Sequence, residues 1–96
     1  MSNLHLELYI VGQSPKSRVA IENLRRFCES RLAGRYRLEV IDVLEQPEAA
    51  ENSNVLATPT LIRRQPPPPW RIIGDLSDTE QLRRGLGVTF DDEGRE

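Results

Sequence analysis

The first part of the chain alternates apolar and polar residues and then changes to a helical period. Leu4, Leu6, Leu8 and Ile10 occupy every second position, which predicts a strand with one apolar face. After Gly12, the pair Ser14-Pro15 is typical of a helix N-cap followed by the first helical residue. The helix that follows carries one apolar face, made of Ala20, Ile21, Leu24, Phe27, Cys28 and Leu32, and we expect it to end near Gly34.

A second apolar segment, from Tyr36 to Leu44, predicts a central strand because Val40, Ile41 and Val43 make it dense in β-branched residues. Strand, helix and strand together form a βαβ unit, whose two strands are parallel neighbours. Pro47 then begins a short and weak helix, which the run from Asn52 to Asn54 ends quickly.

The second half of the chain carries weaker and partly conflicting signals. Strands are predicted at Thr60–Arg64 and at Arg71–Ile73, with the prolines 66–69 as a connection that cannot donate to a ladder. Ser77-Asp78-Thr79-Glu80 has the pattern of a capping box before a last helix, although the run 88–90 prefers a strand. The predicted order is βαβαββα, an α/β thioredoxin-like domain over residues 1–90 with a short acidic-biased tail at 91–96.

Composition limits the possible functions. The chain has 96 residues, 38% of them hydrophobic and 29% charged, which is typical of one small globular domain. The net charge of -2, with both signs spread along the chain, does not support nucleic-acid binding. No apolar run is long enough to span a membrane and no signal segment is evident, so we expect a cytoplasmic protein. Because small domains bury modest cores, a homo-oligomer is expected.

The stretch Thr58-Pro59-Thr60-Leu61, followed by a hairpin and Gly74-Asp75-Leu76-Ser77, resembles the C-terminal half of thioredoxin-like proteins. In that family the proline is cis and faces a Cys-x-x-Cys pair. This chain has one cysteine, so two-cysteine redox chemistry is excluded, and a binding protein is indicated. The alternative is a single-cysteine thiol oxidoreductase, but Cys28 lies on the predicted core face of the helix rather than at its start.

Longer stretches resemble the KaiB family of circadian-clock proteins in register along the chain. The matching segments are Leu8-Tyr9-Ile10-Val11-Gly12, Val40-Ile41-Asp42-Val43-Leu44, Leu56-Ala57-Thr58-Pro59-Thr60-Leu61, Pro66-Pro67-Pro68 and Arg71-Ile72-Ile73-Gly74-Asp75-Leu76-Ser77. The resemblance implies an adaptor that binds the hexameric ATPase KaiC and modulates its phosphorylation cycle. It implies no catalytic site. No residue pattern in the sequence indicates a cofactor or a metal, and none is expected.

The resemblance also implies a metamorphic protein. Family members exchange a tetrameric ground state, ordered βαββααβ, with a monomeric thioredoxin-like form that binds KaiC, so this chain is expected to be a tetramer or dimer in its ground state. Arg37 and Glu39 occupy the strand that family members use to hold KaiA, and Glu39 reverses the usual charge there. We therefore do not expect KaiA as a partner, and a KaiB-like stress-response module without KaiA is an alternative.

Several residues are candidate partner contacts. Trp70 follows a stiff proline arm and either meets a partner or folds back on the core. Arg18, Arg63, Arg64 and Arg71 either form a basic face or are scattered charges, and Arg37 and Glu39 complete the set.

Other residues are candidates for a fold switch: Pro59, Pro67, Asp75, Gly85 and Gly87. Pro59 is the candidate cis proline, either coupled to the switch or fixed in a turn. If the last helix extends through Gly85 and Gly87, alanine at both positions is expected to stabilise the thioredoxin-like form.

Overall fold

In the computed structural model, which describes residues 4–87, seven elements follow in the predicted order. They are β1 (Leu4–Ile10), α1 (Pro15–Arg31), β2 (Tyr36–Asp42), α2 (Pro47–Asn52), β3 (Thr60–Gln65), β4 (Trp70–Ile73) and α3 (Thr79–Leu86). The thioredoxin-like βαβαββα order is therefore confirmed, and it is the form seen here rather than βαββααβ. The strand preference of 88–90 and the tail 91–96 lie outside the described residues.

The four strands form one mixed sheet in the order β2-β1-β3-β4. β1 and β2 are parallel, as the βαβ prediction requires, with Glu7 opposite Glu39. β3 runs antiparallel to β1 and to β4, so β2 and β4 are the two edges. Because the side chains of a strand alternate between faces, the sheet has two distinct surfaces.

One face of the sheet carries the larger core. The alternating residues of β1, among them Leu6 and Leu8, pack with Leu24 of α1 and Leu82 of α3 in one cluster. Leu6, Leu8, Leu24 and Leu82 are fully buried. Burying leucine side chains contributes about 1.5–3 kcal/mol each, so this face supplies most of the hydrophobic stabilisation.

The opposite face is covered only in part. Tyr9, Ile41 and Ile62 form a small cluster, against which Ala49 and Ala50 of α2 pack. The six residues of α2, all described, include no buried one. The rest of this face, near the start of β1 and β2, carries the polar side chains of His5, Glu7, Arg37 and Glu39, and we call it the open part of the sheet.

The start of α3 differs from the predicted capping box. The N-cap is Asp78, not Ser77, and its carboxylate accepts from the backbone N–H groups of Glu80 and Gln81. Ser77 N–H instead donates to the Asp75 carboxylate at 3.1 Å. An aspartate supplies a charged acceptor at the positive end of the helix, which a serine hydroxyl cannot match. Glu80 pairs with Arg83 instead of reaching back to the cap.

The end of α3 overturns the expected effect of alanine at the two glycines. Gly87 is the C-cap, with a left-handed backbone at φ 75°, where a side chain is strained. A Cβ at Gly85 would lie 2.1 Å from atoms of the Trp70 ring. Alanine at either position is therefore expected to destabilise this fold, and the propensity argument was wrong because it ignored the cap and the packing.

Candidate partner-binding surface

The side chains of the turn between β1 and α1, where thioredoxins place their cysteines, cap the helix here. The Ser14 side chain accepts from Ser17 N–H at 3.2 Å and its hydroxyl lies 2.8 Å from Ser17 Oγ. Ser17 Oγ accepts in turn from Val11 N–H at 3.1 Å, and Ser17 is fully buried. Ser14 is thus an N-cap, as its position before Pro15 predicted, and Ser17 is closed to a substrate.

Cys28 lies in the core under α1 and is fully buried. Burial, with a smaller contribution from the charge of Glu29, raises the pKa of its thiol from an ordinary 9.0 to about 12. A reactive cysteine needs an exposed and cationic environment that favours the thiolate. The prediction that Cys28 is a core residue is confirmed.

The Thr58-Pro59 bond is cis, as the thioredoxin resemblance implied. Pro59 is buried, its carbonyl accepts from Gly74 N–H at 3.0 Å, and Thr60 Oγ1 donates to the Ala57 carbonyl at 2.6 Å. The Gln65-Pro66 and Pro67-Pro68 bonds are also cis. The hydrogen bonds of Pro59 and Thr60 fix the turn that leads into β3.

An apolar surface surrounds this turn. Leu56 is 94% exposed and Leu44 is 68% exposed, although both are large hydrophobic residues. Beside Leu56 lies a shallow cavity of about 310 Å³, lined by Val43, Pro47, Ala50, Val55, Leu56, Ala57 and Thr58. Leu44 follows the lining residue Val43 in the sequence, and its side chain lies against the turn at Gly12. We call Leu44, Leu56 and the cavity the cis-proline surface. Exposed apolar groups clustered in this way are typical of binding sites.

The structure does not bring the four candidate arginines to one face. Arg63 donates to the carbonyls of Gly85 and Pro68, on the side of α3. Arg64 donates to Glu7 at 2.8 Å and to Ser53, on the side of α2. Arg71 donates to the carbonyls of Ser53 and Asn54 at 2.8 and 3.1 Å, and Arg18 is exposed on α1. Three of the four therefore tie elements together, which agrees with the alternative of scattered charges.

Trp70 folds back on the core. It is partly buried, packs against the larger cluster and has its ring over Gly85 of α3. Arg63 on β3 donates to the Gly85 carbonyl and so also links the sheet to α3. Of the two alternatives for Trp70, the structure supports the one in which it stabilises the domain. The neighbouring Pro67 is exposed in the connection between β3 and β4.

The two aspartates at strand ends serve turns. Asp42 Oδ1 accepts from the N–H groups of Gly12 and Leu44, at 3.1 and 2.9 Å, and so joins the ends of β1 and β2. Asp75 accepts from Ser77, and hydrogen bonds from Ser77 lower the pKa of its carboxyl. Both carboxylates therefore stabilise turns at the ends of strands.

A charged cluster on the open part of the sheet was not predicted. His5 Nε2 lies 2.9 Å from Glu39 Oε1, Arg37 lies 3.9 Å from the same oxygen, and Glu7 stands beside them on β1. His5 and Glu7 are two residues apart in a strand, which places them on one face. Only the parallel register of β1 and β2 brings Glu39 to them, and sequence spacing does not fix that register.

Comparison with known proteins places the chain. The KaiB domain family model matches residues 7–88. The chain belongs to the KaiB family. It is 49% identical over 88 residues to the circadian clock protein KaiB3 of Synechocystis sp., covering 92% of this chain and 86% of that protein. It is 51% identical over 87 residues to the circadian clock oscillator protein KaiB of Prochlorococcus marinus, covering 91% and 83%.

Solved structures confirm the fold of this KaiB-family chain. The N-terminal domain of SasA from Synechococcus elongatus superposes with a TM-score of 0.75 at 26% identity, covering 94% of this chain and 89% of that one. Oxidised mitochondrial thioredoxin 3 from Saccharomyces cerevisiae gives a TM-score of 0.73 at 18% identity, covering 93% and 81%. Within residues 4–87, no helix combines the length and apolar character needed to cross a membrane.

Proposed function

We propose that this chain is an adaptor of a clock or signalling system that binds a KaiC-type hexameric ATPase and modulates its phosphorylation cycle. The observation that carries the proposal is the cis-proline surface. It exposes Leu56 beside a cavity that includes Thr58 of the cis-proline turn, and Leu44 against the turn at Gly12, in a domain whose own thiol is buried. An exposed apolar surface without a reactive group suits protein binding rather than catalysis.

Hydrogen bonds tie the turn that presents this surface to the ends of three strands. Asp42 links the ends of β1 and β2 beneath Leu44, and the hydrogen bond from Gly74 to the Pro59 carbonyl fixes the start of β3. A surface already in its bound shape loses less conformational entropy on association. The docking surface is therefore built on the strand ends and not on an unsupported loop.

A KaiB-like module acting without KaiA is the second candidate. In the family, the β2 strand holds KaiA, and here that strand presents the exposed Arg37 and Glu39. Glu39 is already engaged by His5, and this hydrogen bond lowers the pKa of its carboxyl. An acidic, internally paired edge disfavours a partner that requires a cation at this position. We propose a KaiC-type partner alone, in timing or in stress signalling.

The proposal is tested by mixing the purified chain with the KaiC-type ATPase of the same organism. Light scattering after size-exclusion chromatography should detect a complex larger than the hexamer. The phosphorylation state of the ATPase should then change in time with the chain present and not with buffer. Failure of the two proteins to form a complex, at concentrations well above micromolar, would reject the partner.

A one-cysteine oxidoreductase gains no support from the geometry, since Cys28 is fully buried with a raised pKa. An insulin-reduction assay separates this function from the adaptor. The chain is expected to reduce insulin no faster than its Cys28→Ala variant.

A further inference from the structure

Three side chains that offer metal ligands meet on the open part of the sheet, away from the cis-proline surface. His5 and Glu7 project from β1 and Glu39 projects from the neighbouring position of β2. One ligand atom from each lies within 4.8 Å of the other two. We propose that His5, Glu7 and Glu39 form a binding site for a divalent transition-metal ion of the Zn²⁺ type.

The spacing suits such an ion. Zinc–ligand bonds of about 2.0–2.2 Å in a tetrahedron separate the ligand atoms by roughly 3.4 Å. His5 Nε2 lies 2.9 Å from Glu39 Oε1, and all three ligand atoms lie within 4.8 Å of one another. Glu39 is 48% exposed, so rotation of its side chain can bring the three atoms to equal separations. An imidazole with carboxylates suits zinc, whereas magnesium and calcium prefer all-oxygen sites.

One ligand is already oriented by its neighbours. Glu7 Oε1 accepts from Tyr9 Oη–H at 3.0 Å and from Arg64 Nε–H at 2.8 Å, and Tyr9 Oη also lies 3.0 Å from Ser53 Oγ. These contacts leave the second carboxylate oxygen of Glu7 for a metal. Hydrogen-bonded partners of this kind hold metal ligands in place and raise affinity.

The two carboxylates of the cluster lie opposite one another. Glu7 and Glu39 are register partners on adjacent strands, and like charges directly opposite one another destabilise a sheet. A divalent ion between them removes that repulsion. Arg64, 2.8 Å from Glu7, and Arg37, 3.9 Å from Glu39, offset part of that repulsion at present. Arg37 is 68% exposed and can move into solvent when an ion binds, whereas Arg64 stays on the far oxygen of Glu7. The side chain of His5 is 23% exposed and that of Glu7 15%, so the site is recessed yet open through Glu39.

The composition of the chain makes the test specific. It contains one histidine and one cysteine, and the cysteine is buried. Zinc added to the full chain without an affinity tag should therefore shift one set of imidazole resonances in the NMR spectrum. Calorimetric titration with zinc chloride at neutral pH should give one ion per chain with micromolar affinity, and magnesium chloride should give no measurable heat of binding.

Variants distinguish this site from adventitious binding. His5→Gln and Glu39→Gln should each weaken zinc binding by at least about tenfold. Glu45→Gln, which removes an exposed carboxylate after β2, should leave it unchanged, and Arg37→Gln should strengthen it because a competing cation is lost. Circular dichroism of each variant checks the fold. Unshifted imidazole resonances in millimolar zinc, or equal affinity in wild type and His5→Gln, would overturn the proposal.

Discussion

At the scale of single residues, Cys28 shows how position decides chemistry. Its thiol is fully buried, and burial raises its pKa to about 12. In the unfolded chain the thiol releases its proton near its ordinary pKa of 9.0, so above that pH the unfolded state binds fewer protons than the folded state. The stability contributed by this thiol is therefore complete below about pH 9 and is lost as the pH rises towards 12.

Cys28→Ala provides the control for this pH dependence. Between pH 8 and pH 10.5, the free energy of unfolding of the wild type should fall by about 2 kcal/mol more than that of the variant. Urea denaturation at several pH values measures both curves. Parallel curves would show that the thiolate is tolerated in the folded state.

Gly85 lies in close contact with a side chain from another element, which helix propensity does not take into account. Its Cα meets the Trp70 ring, and a Cβ there would lie 2.1 Å from ring atoms. Gly85→Ala gains up to about 1 kcal/mol of helix propensity, but overpacking costs about 1–3 kcal/mol, so we expect a net loss of stability.

The variant Trp70→Leu tests whether contact with the Trp70 ring causes the loss of stability in Gly85→Ala. Urea denaturation of the single and double variants forms a double-mutant cycle, in which alanine at Gly85 should cost less once the ring is gone. Gly87→Ala, where nothing lies within 4 Å, should lose about 1 kcal/mol from its left-handed backbone whether or not Trp70 is present. Equal costs of Gly85→Ala in both backgrounds would contradict the contact.

At the scale of elements, α2 depends on contacts from the sheet. It is six residues long, has no side-chain N-cap and buries none of its described residues. Arg71 donates to the carbonyls of Ser53 and Asn54 just beyond its end, and Tyr9 Oη lies 3.0 Å from Ser53 Oγ. Short helices are marginal by themselves, so these hydrogen bonds account for much of its stability.

Removal of the arginine side chain tests this dependence. In Arg71→Ala, amide hydrogen exchange should become faster over residues 47–55 and stay unchanged in β1. The matched variant Arg18→Ala, on exposed α1, should leave both regions as in wild type. Unchanged exchange over 47–55 in Arg71→Ala would show that apolar packing of Ala49 and Ala50 is sufficient.

The elements themselves were largely predictable from local patterns. Alternation in β1, the apolar face of α1 and the Ser14-Pro15 start predicted these elements well, because each signal acts within a few residues. The N-cap of α3 and the roles of Gly85 and Gly87 were not predicted, since they depend on a neighbouring carboxylate and on a tryptophan from another element. The His5 cluster required the register between strands.

For the molecule as a whole, the exchange between two folds that the KaiB resemblance implies stays a prediction. The sequence patterns that conflict, a predicted last helix followed by the strand-favouring run 88–90, lie in the second half of the chain. If only a minor thioredoxin-like population binds the ATPase, association should be slow, over minutes, and its rate should level off as ATPase concentration rises. Biolayer interferometry gives the rate, and analytical ultracentrifugation gives the oligomeric state. A rate that rises in proportion to ATPase concentration would contradict a rare binding form.

We propose that a KaiC-type ATPase binds the cis-proline surface of the thioredoxin-like form. Leu56 is 94% exposed, so Leu56→Asp should leave the urea midpoint unchanged while it introduces a charge at the centre of that surface. Ala33→Asp makes the same change at an exposed site between α1 and β2, at the other end of the sheet.

Calorimetry measures the affinity of wild type and of both variants for the ATPase. We expect Leu56→Asp to weaken binding at least about tenfold, which corresponds to about 1.4 kcal/mol, and Ala33→Asp to bind as wild type does. Equal affinities for Leu56→Asp and wild type would show that the ATPase does not bind at the cis-proline surface.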